Sequence, residues 1–232
     1  MKVMTKVMRF STVLLLACSA LAGCVSQPTS MYRLDGGALE VPEQAEGAAV
    51  LLGPVVLADY LQRDVVLQRL ADGSLAENAQ AVWAGSLEQN VDQLLLRQLA
   101  SRLNTQRLEL SPGSQGFNPE VQVQLEITRL DSGPEHPAVL EAQWRLLDKR
   151  GNRQGGRLVR LQEEHQGSTA DQVRAQSVLL GRLSELMADA IKPTLAKAAQ
   201  KGPVARSPSK AEQTPSVAPI ETIRTDLEVF RF

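Results

Sequence analysis

The side chains that do most enzymatic chemistry are scarce in this chain of 232 residues, which has two histidines and two cysteines. His136 lies between Glu135 and Pro137, the composition of a turn, and His165 follows Glu163 and Glu164 at the end of an alternating stretch. A metal needs several ligands converging on one point, and a histidine beside two acids at a strand end falls far short of that. Glu163 and Glu164 are strand neighbours that point to opposite faces, so they cannot act as a paired-carboxylate site. There is no G-x-S-x-G elbow, P-loop or H-E-x-x-H pattern, and Gly155-Gly156 reads as hairpin closure. A hydrolase lacks its residues here. With 25 basic against 26 acidic residues, the charge balance does not suggest nucleic acid as a partner, which would need a clustered basic face. Aromatics are also few, at 3% against 43% apolar residues, so the core must be Leu, Val and Ala with Trp83 and Trp144 as its largest pieces.

No apolar run reaches the ~20 residues that span a bilayer. The closest is Val13–Ala22, which follows Lys2, Lys6 and Arg9 with no acidic residue between them. A basic start, a short apolar segment and small residues before a cut site predict a secretory signal over residues 1–23. The segment closes with Leu21-Ala22-Gly23-Cys24, which resembles the lipobox of bacterial lipoproteins. That resemblance implies a diacylglycerol on the Cys24 sulfur, cleavage before it and acylation of the new amino terminus. Each buried CH₂ contributes ~0.8 kcal/mol, so several acyl chains hold such a protein firmly on a membrane. Val25 and Ser26 follow the cysteine, where inner-membrane lipoproteins of enterobacterial type carry aspartate. The periplasmic face of the outer membrane is therefore the expected location. With Cys18 discarded and Cys24 acylated, no thiol is left for a disulfide or a nucleophile, and the fold must stand on its core. The mature chain carries 22 basic and 26 acidic residues, a net of −4.

Residues 24–30 form a short polar linker containing Pro28. One domain is expected over residues 31–196. Met31–Leu34 reads as a first strand and Gly36–Gly47 as a loop. Ala49–Ala58 is almost wholly apolar, which predicts a strand buried on both faces, and Gly53-Pro54 marks a bulge or an edge within it. Asp59–Arg63 is a turn. Val65–Leu70 and Leu75–Val82 follow as strands around the Asp72-Gly73 turn. Ser86 with Gln89 fits a capping box, and Leu87, Val91, Leu94, Leu95, Leu99 and Leu103 then share one helical face. Arg97, Gln98, Ser101 and Arg102 fall largely off that face. Arg107–Leu110 is a short strand and Pro112–Pro119 a loop.

Glu120–Asp131 alternates, with Val121, Val123, Leu125 and Ile127 on one side and Gln122, Gln124 and Glu126 on the other. That is a strand with one wet face. Ala138–Leu147 repeats the pattern through Leu140, Ala142, Trp144 and Leu146. Lys149–Asn152 turns the chain, and Arg157–Gln166 returns with Leu158, Arg160 and Gln162 at alternate positions, completing an antiparallel meander. A second helix is predicted from Thr169, capped with Gln172, with Val173, Leu180, Leu183, Met187 and Ile191 on its apolar face and Pro193 at its end. From residue 197 to 232 the chain reads as a disordered tail rich in Lys, Ala, Ser and Pro. It closes on an apolar segment with Leu227, Val229, Phe230 and Phe232, which could add a strand to a partner's sheet edge. Tyr60 and Arg63, at a turn, are the other candidate partner-binding residues.

Several of these pieces recur in one family. The lipobox, Tyr32-Arg33-Leu34, Gly53-Pro54-Val55 running into Tyr60-Leu61-Gln62-Arg63, Trp83-Ala84 before a helix, and Leu140-Glu141-Ala142-Gln143-Trp144-Arg145-Leu146 together resemble the PqiC family. These are auxiliary lipoproteins of ABC-type and MCE-type intermembrane transport systems. The resemblance covers about residues 31–192. It departs at Gly85-Ser86, where the family often has an acid and proline, and in the longer tail. It implies a non-catalytic subunit on the outer membrane that meets an inner-membrane MCE protein, with lipid as cargo of the system and no cofactor beyond the lipid on Cys24. A docking collar would require homo-oligomers. The fold expected from the pattern is α+β, a mostly antiparallel sheet with two principal amphipathic helices on one face. The competing reading is a lipid carrier with an apolar pocket between helices and sheet. A filled core would favour the adaptor.

Overall fold

The alternation at Val121–Ile127 becomes the spine of the sheet. A computed structural model describes residues 28–200 except 44 and 46. The signal segment, the lipobox with Cys24, and the tail with Leu227, Val229, Phe230 and Phe232 lie outside the described residues. Strands β1 (Ser30–Tyr32), β2 (Val50–Leu57), β3 (Val65–Arg69) and β4 (Leu75–Trp83) precede helix α1 (Leu87–Leu103). Strands β5 (Leu108–Leu110), β6 (Val121–Gly133), β7 (His136–Asp148) and β8 (Arg153–Glu163) precede helix α2 (Thr169–Gln200).

The eight strands form one mixed sheet in the order β1-β4-β3-β6-β2-β5, with β7 and then β8 continuing from the other side of β6. The long antiparallel ladders β6–β7 and β7–β8 make up most of it. The first part of β6 runs parallel to β2, and its far end meets β3 at Gln68↔Ser132. Val121, Val123, Leu125, Ile127, Leu140, Ala142, Trp144 and Leu146 all turn inward into one core with both helices. Trp83 and Trp144 are buried there. The opposite face of β6–β8 is left to water, so both helices pack on one face, as the period-2 pattern predicts.

Five local readings are corrected. β2 is buried on both faces only over Val50–Gly53. A register shift follows between Leu52 and Val55, after which Val56 is 51% exposed. The bulge lies inside a central strand, since β2 pairs with both β5 and β6. On α1, Ser86 caps as expected, its Oγ accepting from the Gln89 N–H at 3.2 Å, but Gln98 is buried and its amide donates to the Gly36 carbonyl. The cap of α2 is Ser168, one residue before Thr169, with Oγ accepting from the Asp171 N–H at 3.2 Å. Gln172 is thereby freed to turn inward, where it meets Gln68 and Ser132.

On β8 it is Val159 and Leu161 that pack on the core, and Leu158 faces water. Finally, α2 runs through Pro193 to Gln200, so residues 197–200 are helical. Proline removes one N–H from the ladder, but the carbonyl that loses its donor belongs to exposed Asp189. Leu195, packed against the core beyond the proline, keeps the last turns in place.

Candidate functional site

The layer between sheet and helices is filled. Leu94, Leu95, Leu99, Leu179, Leu180 and Leu183 are fully buried. The cavity beside Leu61, Trp83, Leu130 and Gln176 measures about 10 Å³, room for about one water. Gln176 presents a buried Oε1 with no partner in this part of the fold.

Tyr60 sits on a short 3₁₀ turn, Asp59–Leu61, and its hydroxyl donates to Asp131 Oδ2 at 3.2 Å. Burial and the neighbouring Asp131 charge push its pKa up to about 12. Arg63 is exposed, and its side chain makes no hydrogen bond or ion pair among the described residues. The two candidates thus differ in kind: Tyr60 is tied into the sheet, and Arg63 is free at the surface.

Around Asp131 lies a cluster the sequence did not announce. The Asp131 side chain is 0% exposed and accepts from Arg69 Nε at 2.9 Å, Arg69 Nη2 at 2.7 Å and Arg129 Nη2 at 3.0 Å. Burial works against the charged carboxylate, but the two guanidiniums outweigh it and hold Asp131 below its ordinary pKa. Glu141 accepts from Arg160 at 2.8 Å and stands 3.8 Å from Arg129, extending the chain of charges across β7 to β8. The available signal was Arg129-x-Asp131, two charges at i, i+2 that share a strand face just where the apolar alternation stops. The cluster clamps strands together and exposes no reactive group.

Two surfaces remain. A groove of about 510 Å³ opens between β1 and the two helices, lined by Tyr32, Arg33, Asp35, Gln98 and Val178 among others. Its floor is fixed by the Asp35 N–H, which donates to Ser177 Oγ at 3.1 Å. On the outer sheet face a shallower hollow of about 190 Å³ lies among Pro54, Val56, Gln124, Glu126, Gln143 and Arg145. His136 is taken up structurally, with Nε2 2.9 Å from the Leu70 carbonyl, and His165 Nδ1 accepts from the Gly167 N–H at 3.0 Å. Among the described residues, no group of three or more His, Cys, Asp or Glu side chains is placed to share one ion.

A sequence model of the ABC-type transport auxiliary lipoprotein component family matches residues 32–188, from β1 into α2. The chain belongs to this family. It is therefore an auxiliary lipoprotein component of ABC-type transport, the level at which the resemblance seen in the sequence stands. No curated protein matches the chain. A crystal structure of an uncharacterized protein has the same fold, with a TM-score of 0.59 and 18% identity over 71% of this chain and 99% of its own. So does the DUF330 protein XCC0632 from Xanthomonas campestris, with a TM-score of 0.58 and 14% identity over 74% of this chain and 99% of its own. Identities this low speak for the fold alone. They agree with an α+β family domain that spans nearly the whole of both solved chains.

Proposed function

We propose that this family member is a non-catalytic, lipid-anchored adaptor of an MCE/ABC-type intermembrane lipid transport system. Acyl chains on Cys24 hold it to the periplasmic face of the outer membrane, and its domain docks the MCE protein that reaches across from the inner membrane. No cofactor is needed beyond that lipid. The observation that carries this reading is the packed interior, in which Leu94, Leu95, Leu99, Leu179, Leu180 and Leu183 are fully buried and the cavity beside Leu61 and Trp83 measures about 10 Å³. Such a domain has its surface to offer, and among the described residues the buried polar cluster around Asp131 is taken up by ion pairs and hydrogen bonds. The carrier alternative needs an apolar pocket beneath the sheet, where the core is packed; the groove of about 510 Å³ beside β1 is the place left for a lipid to bind. Exposed Arg63, on the turn after β2, is a contact for the partner. Copies of the domain arranged as a collar would present that turn repeatedly.

The experiment is recovery of the lipidated full-length protein from crosslinked envelopes, with mass spectrometry of proteins and extracted lipids. The adaptor reading expects an MCE-type protein with lipid at background level, and reduced recovery with Arg63→Glu. Stoichiometric lipid in the absence of such a partner would overturn it in favour of the carrier.

A further inference from the structure

Strand β8 pairs only with β7, so its other edge is unpaired among the described residues. In an antiparallel pair, residues alternate between turning both backbone groups toward the neighbour and turning both away. Two contacts set the phase. Thr128 Oγ1 on β6 donates to the Glu141 carbonyl at 3.2 Å, and Glu141 stands opposite Arg160. Arg182 Nη1 donates to the Gln162 carbonyl at 3.2 Å. Both place the backbone groups of Arg160 and Gln162 on the side away from β7. The register is unbroken from Gly155 to Glu163, so Gly156 and Leu158 share that phase. Of these four residues only Gln162 has its carbonyl occupied, which leaves a ladder open at Gly156, Leu158 and Arg160.

The side chains beside that ladder are unusual for a free edge. Leu158 is 71% exposed. Arg145, Lys149, Arg150, Arg153 and Arg157 lie along the same β7–β8 hairpin, from the strand to its turn, and none has a carboxylate partner among the described residues. The acid in the hairpin turn, Asp148, is already occupied by the N–H groups of Arg150 and Asn152 and by the side chains of Asn152 and Gln154. By contrast, Arg160 is matched by Glu141 at 2.8 Å and Glu163 by Arg182 at 2.6 Å.

An open ladder, one exposed leucine and five uncompensated cations have one complement. The geometry points to β8 as the acceptor for an extended, acidic segment of another protein, added as a further strand with an apolar side chain over Leu158 and carboxylates toward Arg153 and Arg157. A two-fold pairing of β8 with β8 of a second copy fits worse, because it sets cation beside cation, and like charges across strands are unfavourable. An anionic membrane surface would take the charge and leave the ladder unused. The same arginines keep neutral and basic strands away, as charges on edge strands do. The site is independent of the transport partner proposed above.

The test uses the full lipidated protein in detergent and a fluorescent peptide of about nine residues alternating glutamate and valine. The control peptide has lysine for glutamate, and phosphatidylglycerol vesicles serve as a third probe. The glutamate peptide is expected to bind, to slow amide exchange at Gly156, Leu158 and Arg160, and to weaken with salt. Arg153→Glu with Arg157→Glu should lower its affinity about tenfold or more. Leu158→Pro should do the same, since it removes an N–H on the open side and no bond to β7. If that variant fails to fold, the double charge reversal decides. Equal binding of the two peptides, indifference to the charge reversal, no exchange protection on β8, or binding to vesicles in place of the peptide would each overturn the proposal.

Discussion

Arg69 of β3 grips Asp131 of β6 with two parallel hydrogen bonds, Nε to Oδ1 at 2.9 Å and Nη2 to Oδ2 at 2.7 Å. This pair lies where the two strands share a single register position, Gln68↔Ser132. A side-chain fork thus joins β3 to β6 where the backbone ladder is nearly absent. Arg129 and Tyr60 complete the cage around the same carboxylate. A bidentate arginine suits this task because its planar donors match a carboxylate in both distance and direction.

Replacing Asp131 by Asn should therefore cost about 3 kcal/mol at pH 7, because it leaves two guanidiniums facing each other without a charge between them. The folded carboxyl titrates below its ordinary value, so its stabilisation is complete above the unfolded pKa and is lost as pH falls through the folded one. Urea denaturation of both proteins should show a constant gap from pH 7 to about 5 that closes only below about pH 4. A gap that shrank between pH 7 and 5 would contradict the assignment.

Gly133→Ala tests the same junction from the backbone. A Cβ there would overlap the Arg69 carbonyl oxygen, which belongs to main chain and cannot swing aside. We expect a loss of more than about 3 kcal/mol, or failure to fold. Near-wild-type stability would mean that β3 and β6 approach less closely.

Asp92 behaves in the opposite way to Asp131. Half-burial on α1, with Glu88 nearby, raises its pKa to about 6, and its Oδ1 has no partner. A raised folded pKa means stability present below the unfolded value and lost as pH rises through the folded one. Asp92→Asn should stabilise the domain by about 1 kcal/mol at pH 7.5, after discounting for solvent access, and by almost nothing at pH 4. Thermal midpoints at the two pH values would decide it. An equal gain at both would point to a cause other than charge.

Pro193→Ala restores an N–H opposite the Asp189 carbonyl without disturbing the buried side of α2, since Pro193 is exposed. The expected gain is about 1 kcal/mol, below the full interior proline penalty because the site lies near the helix end. Amide exchange over residues 194–200 should slow in the variant. Unchanged exchange would show that this last part of the helix is limited by something other than the proline.

The strands with one wet face were readable because each burial decision repeats every second residue, so Val121–Ile127 and Leu140–Leu146 each state their face several times over. Helix α1 was readable for the same reason, from Ser86 and the leucines that follow it. Where a side chain's burial depended on a distant neighbour, reading along the chain failed. Gln98 looked solvated and is buried against Gly36. Gln172 looked like a cap and instead bonds Ser132 on β6. Leu158 looked like the return of an apolar pattern and stands in water, because Val159 and Leu161 hold the core face of β8. The candidate surface fared similarly: Arg63 was legible as a free turn charge, whereas the engagement of Tyr60 by Asp131 was not.

Local period, capping chemistry and the lack of reactive side chains are properties of neighbouring residues, and these the sequence determined by itself: the α+β class, a Leu-, Val- and Ala-rich core, and the family. Tertiary structure alone decided that Asp131 would be caged by two arginines, that a groove would open between β1 and the two helices, and that β8 would pair only with β7 among the described residues. The physical reason is range. Periodicity acts over a turn or two of chain, while charge pairing and strand order are settled between residues tens of positions apart, when the sheet assembles and water leaves.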